Sequence, residues 1–191
     1  MAQSHEDWAL GYLDEVWWSR LAQPKMHAWS FKEPLRLQKK QQQKGEKQAL
    51  ACYGVLFDEG ASKQMRLRFV ARRPISAVTI AFLEWVLAGL AAEGKRVWVL
   101  VWDNASWHVS KKVRRWISAH NRRVKREGGV RIVECRLPVQ SPWLNPIEPT
   151  WLHGKRAIVE PSRKLTVEEL MERVCAHYGC ALEEPIPQDV L

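Results

Sequence analysis

An α/β fold built on a mixed five-stranded sheet with helices on both faces is what this sequence predicts. Three observations lead there. Apolar stretches of strand length come first, ending in a segment that alternates with period two. Near residue 76 the apolar period changes to that of a helix. From there strands and helices alternate, the pattern of parallel pairing, after an opening whose turn signals favour antiparallel pairing.

Trp8 to Trp18 reads as the first strand: Ala9, Leu10, Tyr12, Leu13, Val16 and Trp17 are apolar, interrupted by Asp14-Glu15. Gln38 to Lys47 is polar, low in complexity and carries Gly45, so a loop is expected. Ala49 to Phe57 is a second strand, closed by Asp58-Glu59-Gly60. Met65 to Val70 alternates apolar and basic residues and is expected to form a hairpin with it. This early region leaves room for one further strand. From Ser76 to Glu93, Val78, Phe82, Val86 and Leu90 recur every fourth residue, with Leu83 and Leu87 beside them. That is one face of a helix, with Ser76 placed to cap it and Gly94 to end it.

Val97 to Trp102 is an unbroken apolar run, expected as a central strand covered on both faces and ending at Asp103-Asn104. A basic helix follows from about Ser110 to Lys125, with Val113, Trp116, Ile117 and His120 inward. Gly128-Gly129 turns the chain into a strand over Val130 to Cys135. Leu137 to Pro146 is a Pro-rich loop opening into a helix. A last helix over Val167 to Tyr178 has Thr166 and Glu169 spaced as a capping box.

A length of 191 residues suits one domain, since single cores hold roughly 100–200 residues. The apolar fraction of 46% is enough to bury a core. No apolar run reaches the ~18 residues of a membrane span, and the polar, acidic start is unlike a signal peptide. No membrane and a cytoplasmic location are expected. Cys52, Cys135, Cys175 and Cys180 form no Cys-x-x-Cys pair, and without an export signal a disulfide framework is not expected. Cys175, His177 and Cys180 offer three ligands where a structural zinc needs four, so buried thiols on a terminal helix are the better reading.

The net charge is +9, concentrated in two clusters. One spans Lys32 to Lys47; the other runs from Lys111 to Arg131 and holds Lys111, Lys112, Arg114, Arg115, Arg122, Arg123, Lys125 and Arg126. Such patches gain free energy by releasing counterions from a phosphate backbone. A solvated helix face would look the same, so charge favours nucleic acid without deciding it. The eleven tryptophans lie mostly in apolar periodic segments and are expected in the core.

Three carboxylates could meet. Asp14 interrupts the first strand, Asp103 ends the buried one, where α/β sheets place functional groups, and Glu148 opens the helix after Asn145-Pro146-Ile147. An ionised carboxylate facing a core costs several kcal/mol unless it is paired or metal-bound. Each also has a plainer reading. Glu148 could be a capping-box acid, Asp103-Asn104 a strand-to-loop turn, and Asp14 a residue on the solvent face of an edge strand.

The wording around these acids is more specific. Trp102-Asp103-Asn104-Ala105-Ser106-Trp107-His108 resembles the Asp-Asn-x-x-x-His segment of DDE transposases. Ser141-Pro142-Trp143-Leu144-Asn145-Pro146-Ile147-Glu148-Pro149-Thr150-Trp151 is similar to their Ser-Pro-x-Leu-Asn-Pro-Ile-Glu-x-x-Trp motif. Leu13-Asp14-Glu15 is similar to their first acidic strand. Together these resemble the mariner-related bacterial insertion sequence six-thirty family, over Trp8 to Ala157.

The resemblance implies an RNase H-like fold whose Asp14, Asp103 and Glu148 are catalytic and bind two Mg2+ or Mn2+ ions. Asn104, His108 and Asn145 would be auxiliary, positioning metal ligands or the DNA backbone, and the basic helix would bind DNA. It implies DNA cleavage and strand transfer on transposon ends and target, and a nucleoid-associated protein. It admits a homodimer and a separate DNA-binding polypeptide. Two departures stand out. The 44 residues between Asp103 and Glu148 exceed the family's usual spacing, the excess falling in Asn121 to Gly129. Only 13 residues precede Asp14, so the family's N-terminal helix-turn-helix region is expected to be absent, leaving 1–191 as one catalytic domain. Two alternatives stay open: another RNase H-like nuclease acting on RNA hybrids or junctions, and an inactive DNA-binding remnant.

Overall fold

The computed structural model describes residues 5–20, 49–58, 60, 62–158 and 164–188. The basic cluster Lys32 to Lys47, the loop expected over Gln38 to Lys47 and Glu59 of the turn lie outside the described residues. The elements run β1 (Trp8–Ser19), β2 (Ala49–Asp58), β3 (Lys63–Val70), α1 (Ser76–Ala92), β4 (Val97–Trp102), α2 (Lys111–Glu127), β5 (Arg131–Arg136), α3 (Ile147–Ile158) and α4 (Val167–Tyr178). The sheet order is β3-β2-β1-β4-β5. β1, β2 and β3 pair antiparallel; β4 runs parallel to both β1 and β5. This is the mixed five-stranded α/β sheet the sequence predicts, in the RNase H-like arrangement. No further early strand occurs among the described residues.

Side chains alternate across the sheet, as strand geometry requires. Ala9 and Leu13 of β1 face one side with Trp98, Leu100 and Trp102 of β4. There they pack with Val78, Phe82 and Val86 of α1 and Val113 and Ile117 of α2. Val16 and Trp18 face the other side with Cys52 and Leu56, against Ile147 and Trp151 of α3 and Leu170 and Val174 of α4. Helices therefore cover both faces, one pair on each. Ile186 adds a bridge beside Val70, exchanging backbone hydrogen bonds with Phe69 and Ala71. That short pairing blunts the exposed edge of β3.

Two expectations need correction. β4 is not covered equally on both faces: Trp98, Leu100 and Trp102 are fully buried, while Val97, Val99 and Val101 are half-buried. The reason is that α3 and α4 lie toward β1–β3 and leave the β4 half of that face less covered. Ser76 does not cap α1 either. Ile75 is the N-cap residue, without a side-chain cap, and the Ser76 hydroxyl hydrogen-bonds Ser110 Oγ at 2.8 Å. It ties α1 to the start of α2, where Ser110 accepts from Val113 N and is itself the cap.

Gly94 ends α1 with φ 75°, and the capping box of Thr166 and Glu169 is formed. Asn121 to Glu127 continue α2 as regular helix, so the extra length before β5 is helix followed by the Gly128-Gly129 turn. The four cysteines are free thiols, with Cys52 and Cys175 buried and Cys135 exposed. No helix among the described residues is long and apolar enough to cross a membrane.

Candidate active site

β1 and β4 run parallel, with Tyr12 opposite Val101. Continuing that register by two residues sets position 103 beside position 14, and alternation puts both on the face that carries α3. Glu148 stands in the first turn of α3 on that face. Asp14, Asp103 and Glu148 accordingly line one cavity of about 380 Å³, together with Asn104, Ala105, Asn145 and the loop residues Leu137 to Ser141. The three carboxylates face the cavity without closing on a single point. Among the described residues, no three His, Cys, Asp or Glu side chains are arranged to hold one metal ion.

Each acid is held differently. Asp14 Oδ2 accepts a hydrogen bond from Trp151 Nε1 at 3.1 Å. Trp151 reaches it across Gly54, which pairs with Asp14 on β2. A Cβ at Gly54 would stand 2.4 Å from the indole ring, so only glycine leaves room for this approach. Burial, then the charges of Glu15, Glu148 and Asp103, push the Asp14 carboxyl up to about 8. Asp103 behaves in the opposite way. A hydrogen bond from His108 and one from Ala105 N–H outweigh its partial burial and hold its carboxyl below the usual range. The carboxylate of Glu148 makes no hydrogen bond among the described residues, so it is not acting as a capping-box acid.

The auxiliary residues brace this arrangement. Asn145 is buried; its Nδ2 donates to Leu13 O at 3.3 Å and its backbone carbonyl accepts from Glu148 N, so it pins the start of α3 to β1. Asn104 Nδ2 donates to Leu137 O at 2.7 Å, fixing the Pro-rich loop beside the cavity. His108 is fully buried and stacks on Trp102 with ring centroids 4.5 Å apart. Its Nδ1 lies 2.7 Å from Asp103 Oδ1 and its Nε2 2.7 Å from Glu15 Oε1. Burial opposes charge on this ring, but the two carboxylates prevail and hold the imidazolium up to about 9. With an acceptor on each side, both ring nitrogens donate.

All eight basic residues predicted to bind DNA are exposed on α2. None of them lines the cavity, and α2 packs on the opposite face of the sheet. α2 leaves the carboxyl end of β4 and returns toward its amino end, where Arg131 pairs with Val97. Lys111, Lys112, Arg114 and Arg115 lie in the first turns of α2, nearest the carboxyl end of β4. Arg122, Arg123, Lys125 and Arg126 follow roughly 15–20 Å farther along at 1.5 Å per residue. Sequence reasoning missed Glu15, Trp107 and Gly54. Glu15 carried a usable signal: adjacent strand residues point to opposite faces, so Glu15 had to face away from Asp14, toward α1 and α2.

Residues 10–171 match the family model described as DDE superfamily endonuclease. The chain belongs to this family. The match spans all three carboxylates of this DDE-superfamily chain, and its fold is similar to that of several solved structures. The Mos1 transposase paired-end complex with left transposon end is 14% identical with a TM-score of 0.60, over 92% of this chain and 48% of that one. The Mos1 mariner paired end complex with Mn is 13% identical with a TM-score of 0.56, over 92% of this chain and 48% of that one. A pre-cleavage Mos1 transpososome is 14% identical with a TM-score of 0.54, over 92% and 49%. At such identities the likeness concerns the fold. This chain spans about half the length of those chains. No curated protein matches it.

Proposed function

We propose that this chain is the catalytic domain of a transposase that cleaves and joins DNA strands, with Asp14, Asp103 and Glu148 as its metal-binding catalytic residues. The observation that carries the reading is that one cavity is lined by all three acids, which lie 45 to 134 residues apart along the chain. Family membership supports it. So do the sequence motifs around Asp103 and Glu148, which favour the mariner-related insertion sequence six-thirty group.

The donor set fits divalent ions. Oxygen ligands suit Mg2+ or Mn2+, and the Asp14 carboxyl is raised first by burial and then by neighbouring acids, Glu148 and Asp103 of the cavity among them. Two such ions, when bound, would activate the attacking oxygen and stabilise the leaving one. The protein's own part is to position. Asp14 is fixed from α3 through Trp151, Asp103 from the loop after β4 through His108 and Ala105, and Glu148 through the Asn145 anchor. Lys111, Lys112, Arg114 and Arg115 would hold phosphates beside the cavity, and the distal cations would follow the DNA backbone away from it. Transposon ends and target DNA are the proposed partners, with two copies of the chain bringing two ends together in a nucleoid-associated complex.

Asp103→Asn tests this. In a metal-dependent cleavage assay on duplex DNA the variant should lose activity by at least about a thousandfold. DNA affinity should stay near wild type, and the variant should fold, with an unfolding midpoint lowered only by the weakened bond to His108. Undiminished cleavage by the variant would refute the assignment. Parallel assays on RNA–DNA hybrids and on branched junctions separate a transposase from other nucleases of this fold.

A further inference from the structure

We infer that Glu15 is a positioning residue of this site, acting through His108 on the Asp103 carboxylate; the inference rests on the metal-dependent nuclease reading above. Glu15 follows Asp14 on β1 but points to the other face of the sheet, where its side chain is only 6% exposed. One oxygen, Oε1, accepts from His108 Nε2 at 2.7 Å and from Trp107 Nε1 at 3.1 Å. The imidazole is sandwiched between this carboxylate and Asp103, with Trp102 stacked on its face. It therefore cannot turn without breaking two hydrogen bonds.

The consequence falls on Asp103. A carboxylate rotates easily about its last torsion, whose minima are broad. Here Oδ1 takes two donors, His108 Nδ1 at 2.7 Å and Ala105 N at 2.9 Å. Oδ2 has no hydrogen-bond partner among the described residues, on a side chain that is half exposed and lines the cavity. The donors thus sort the two oxygens into one held and one offered. Glu15 is what holds the donor. It also ties the middle of β1 to the end of β4, at the level where Asp14 and Asp103 stand abreast.

A buried carboxylate is a poor choice for stability alone, because an apolar side chain of similar volume does as well or better. A carboxylate is needed where a ring must be kept in one orientation. Partners behind a metal ligand act in this way, and their loss typically weakens metal binding about 10–100-fold. The Glu15 side chain does not itself line the cavity, although its charge also acts on neighbouring Asp14, so its effect should appear in metal affinity.

The test is a calorimetric Mn2+ titration of the full chain as wild type, Glu15→Gln, Trp107→Phe and Asp103→Asn, with DNA affinity and unfolding measured alongside. Asp103→Asn controls for the site: unchanged Mn2+ binding there would overturn the metal reading itself, whatever Glu15 does. With that control behaving, Glu15→Gln should bind Mn2+ about tenfold more weakly. Trp107→Phe, which removes one donor to Glu15 and keeps the packing, should lose about threefold, a fraction of one charge-assisted hydrogen bond. In cleavage assays both should need more Mn2+ for half-maximal rate, while the rate at saturating Mn2+ and the DNA affinity stay within about twofold of wild type. Wild-type Mn2+ affinity in folded Glu15→Gln overturns the inference. If that variant does not fold, the same result in Trp107→Phe overturns it.

Discussion

Two neighbouring acids, Asp14 and Glu15, show how one step along a strand separates roles. Asp14 faces the cavity, where burial and the nearby carboxylates raise it to about 8. Glu15 faces the opposite layer and meets His108, whose ring is held at about 9. These shifts set a pH dependence for the metal-free protein. In the unfolded chain Asp14 ionises near pH 4, but in the folded one it keeps its proton to about pH 8. The folded state binds more protons across that window, so stability falls as pH rises through it. The His108 contribution is complete below about pH 6.5 and is lost as pH rises toward 9. Asp103, held low, contributes above about pH 4 and loses that contribution in stronger acid. The melting temperature of metal-free protein should therefore fall from about pH 5 to about pH 9, with Asp14→Asn flattening the lower half of that slope. Mg2+ should raise it more at pH 8 than at pH 5. A Mg2+ effect that is the same at both would contradict the placement of Asp14 in a cation site. Asp14 and Asp103 were legible as candidates because each interrupts or ends an apolar run. The His108–Glu15 contact was not, because 92 intervening residues say nothing of which imidazole nitrogen meets which oxygen.

Among the elements, the strands and helices follow closely from local pattern, because their apolar periods match the faces they bury. Val78, Phe82, Val86 and Leu90 are all buried on one side of α1, as their four-residue spacing requires. What local pattern did not reveal is how elements meet. Ser76 reads as a cap in isolation, yet its hydroxyl serves the α1–α2 junction. Gly54 reads as a strand residue of no consequence, yet it opens the space through which α3 reaches β1. Gly154 does the same for α4: a Cβ there would overlap the Tyr178 hydroxyl, which donates to Thr150 O. The Gly54→Ala variant should be destabilised by about 1–3 kcal/mol through overpacking, measured by urea unfolding. It should also lose cleavage activity beyond what its unfolded fraction explains, because a displaced Trp151 no longer donates to Asp14. A folded Gly54→Ala protein with full activity would show that the Trp151 contact is dispensable.

Across the whole molecule, the proposed function divides between the basic helix and the acidic cavity. α2 carries eight exposed cations from the carboxyl end of β4 toward its amino end, and counterion release makes each phosphate contact visible as salt dependence. Replacing Arg122, Arg123, Lys125 and Arg126 with Gln should reduce the slope of log affinity against log salt by about 0.9 per lost contact. The cleavage rate at saturating DNA should be nearly unchanged. Replacing Lys111, Lys112 and Arg115 should lower both affinity and that rate. Equal effects from the two sets would mean that DNA does not run along the helix from the cavity.

Three acids scattered over most of the chain are proposed to serve one cation-binding cavity. The decisive experiment is a crystal structure of the chain soaked in Mn2+, with anomalous scattering recorded. An anomalous peak is expected within coordination distance of oxygens from Asp14, Asp103 and Glu148, with Asp103 contributing Oδ2. A well-occupied peak bound elsewhere, with the Glu148 side chain turned out of the cavity, would contradict this assignment.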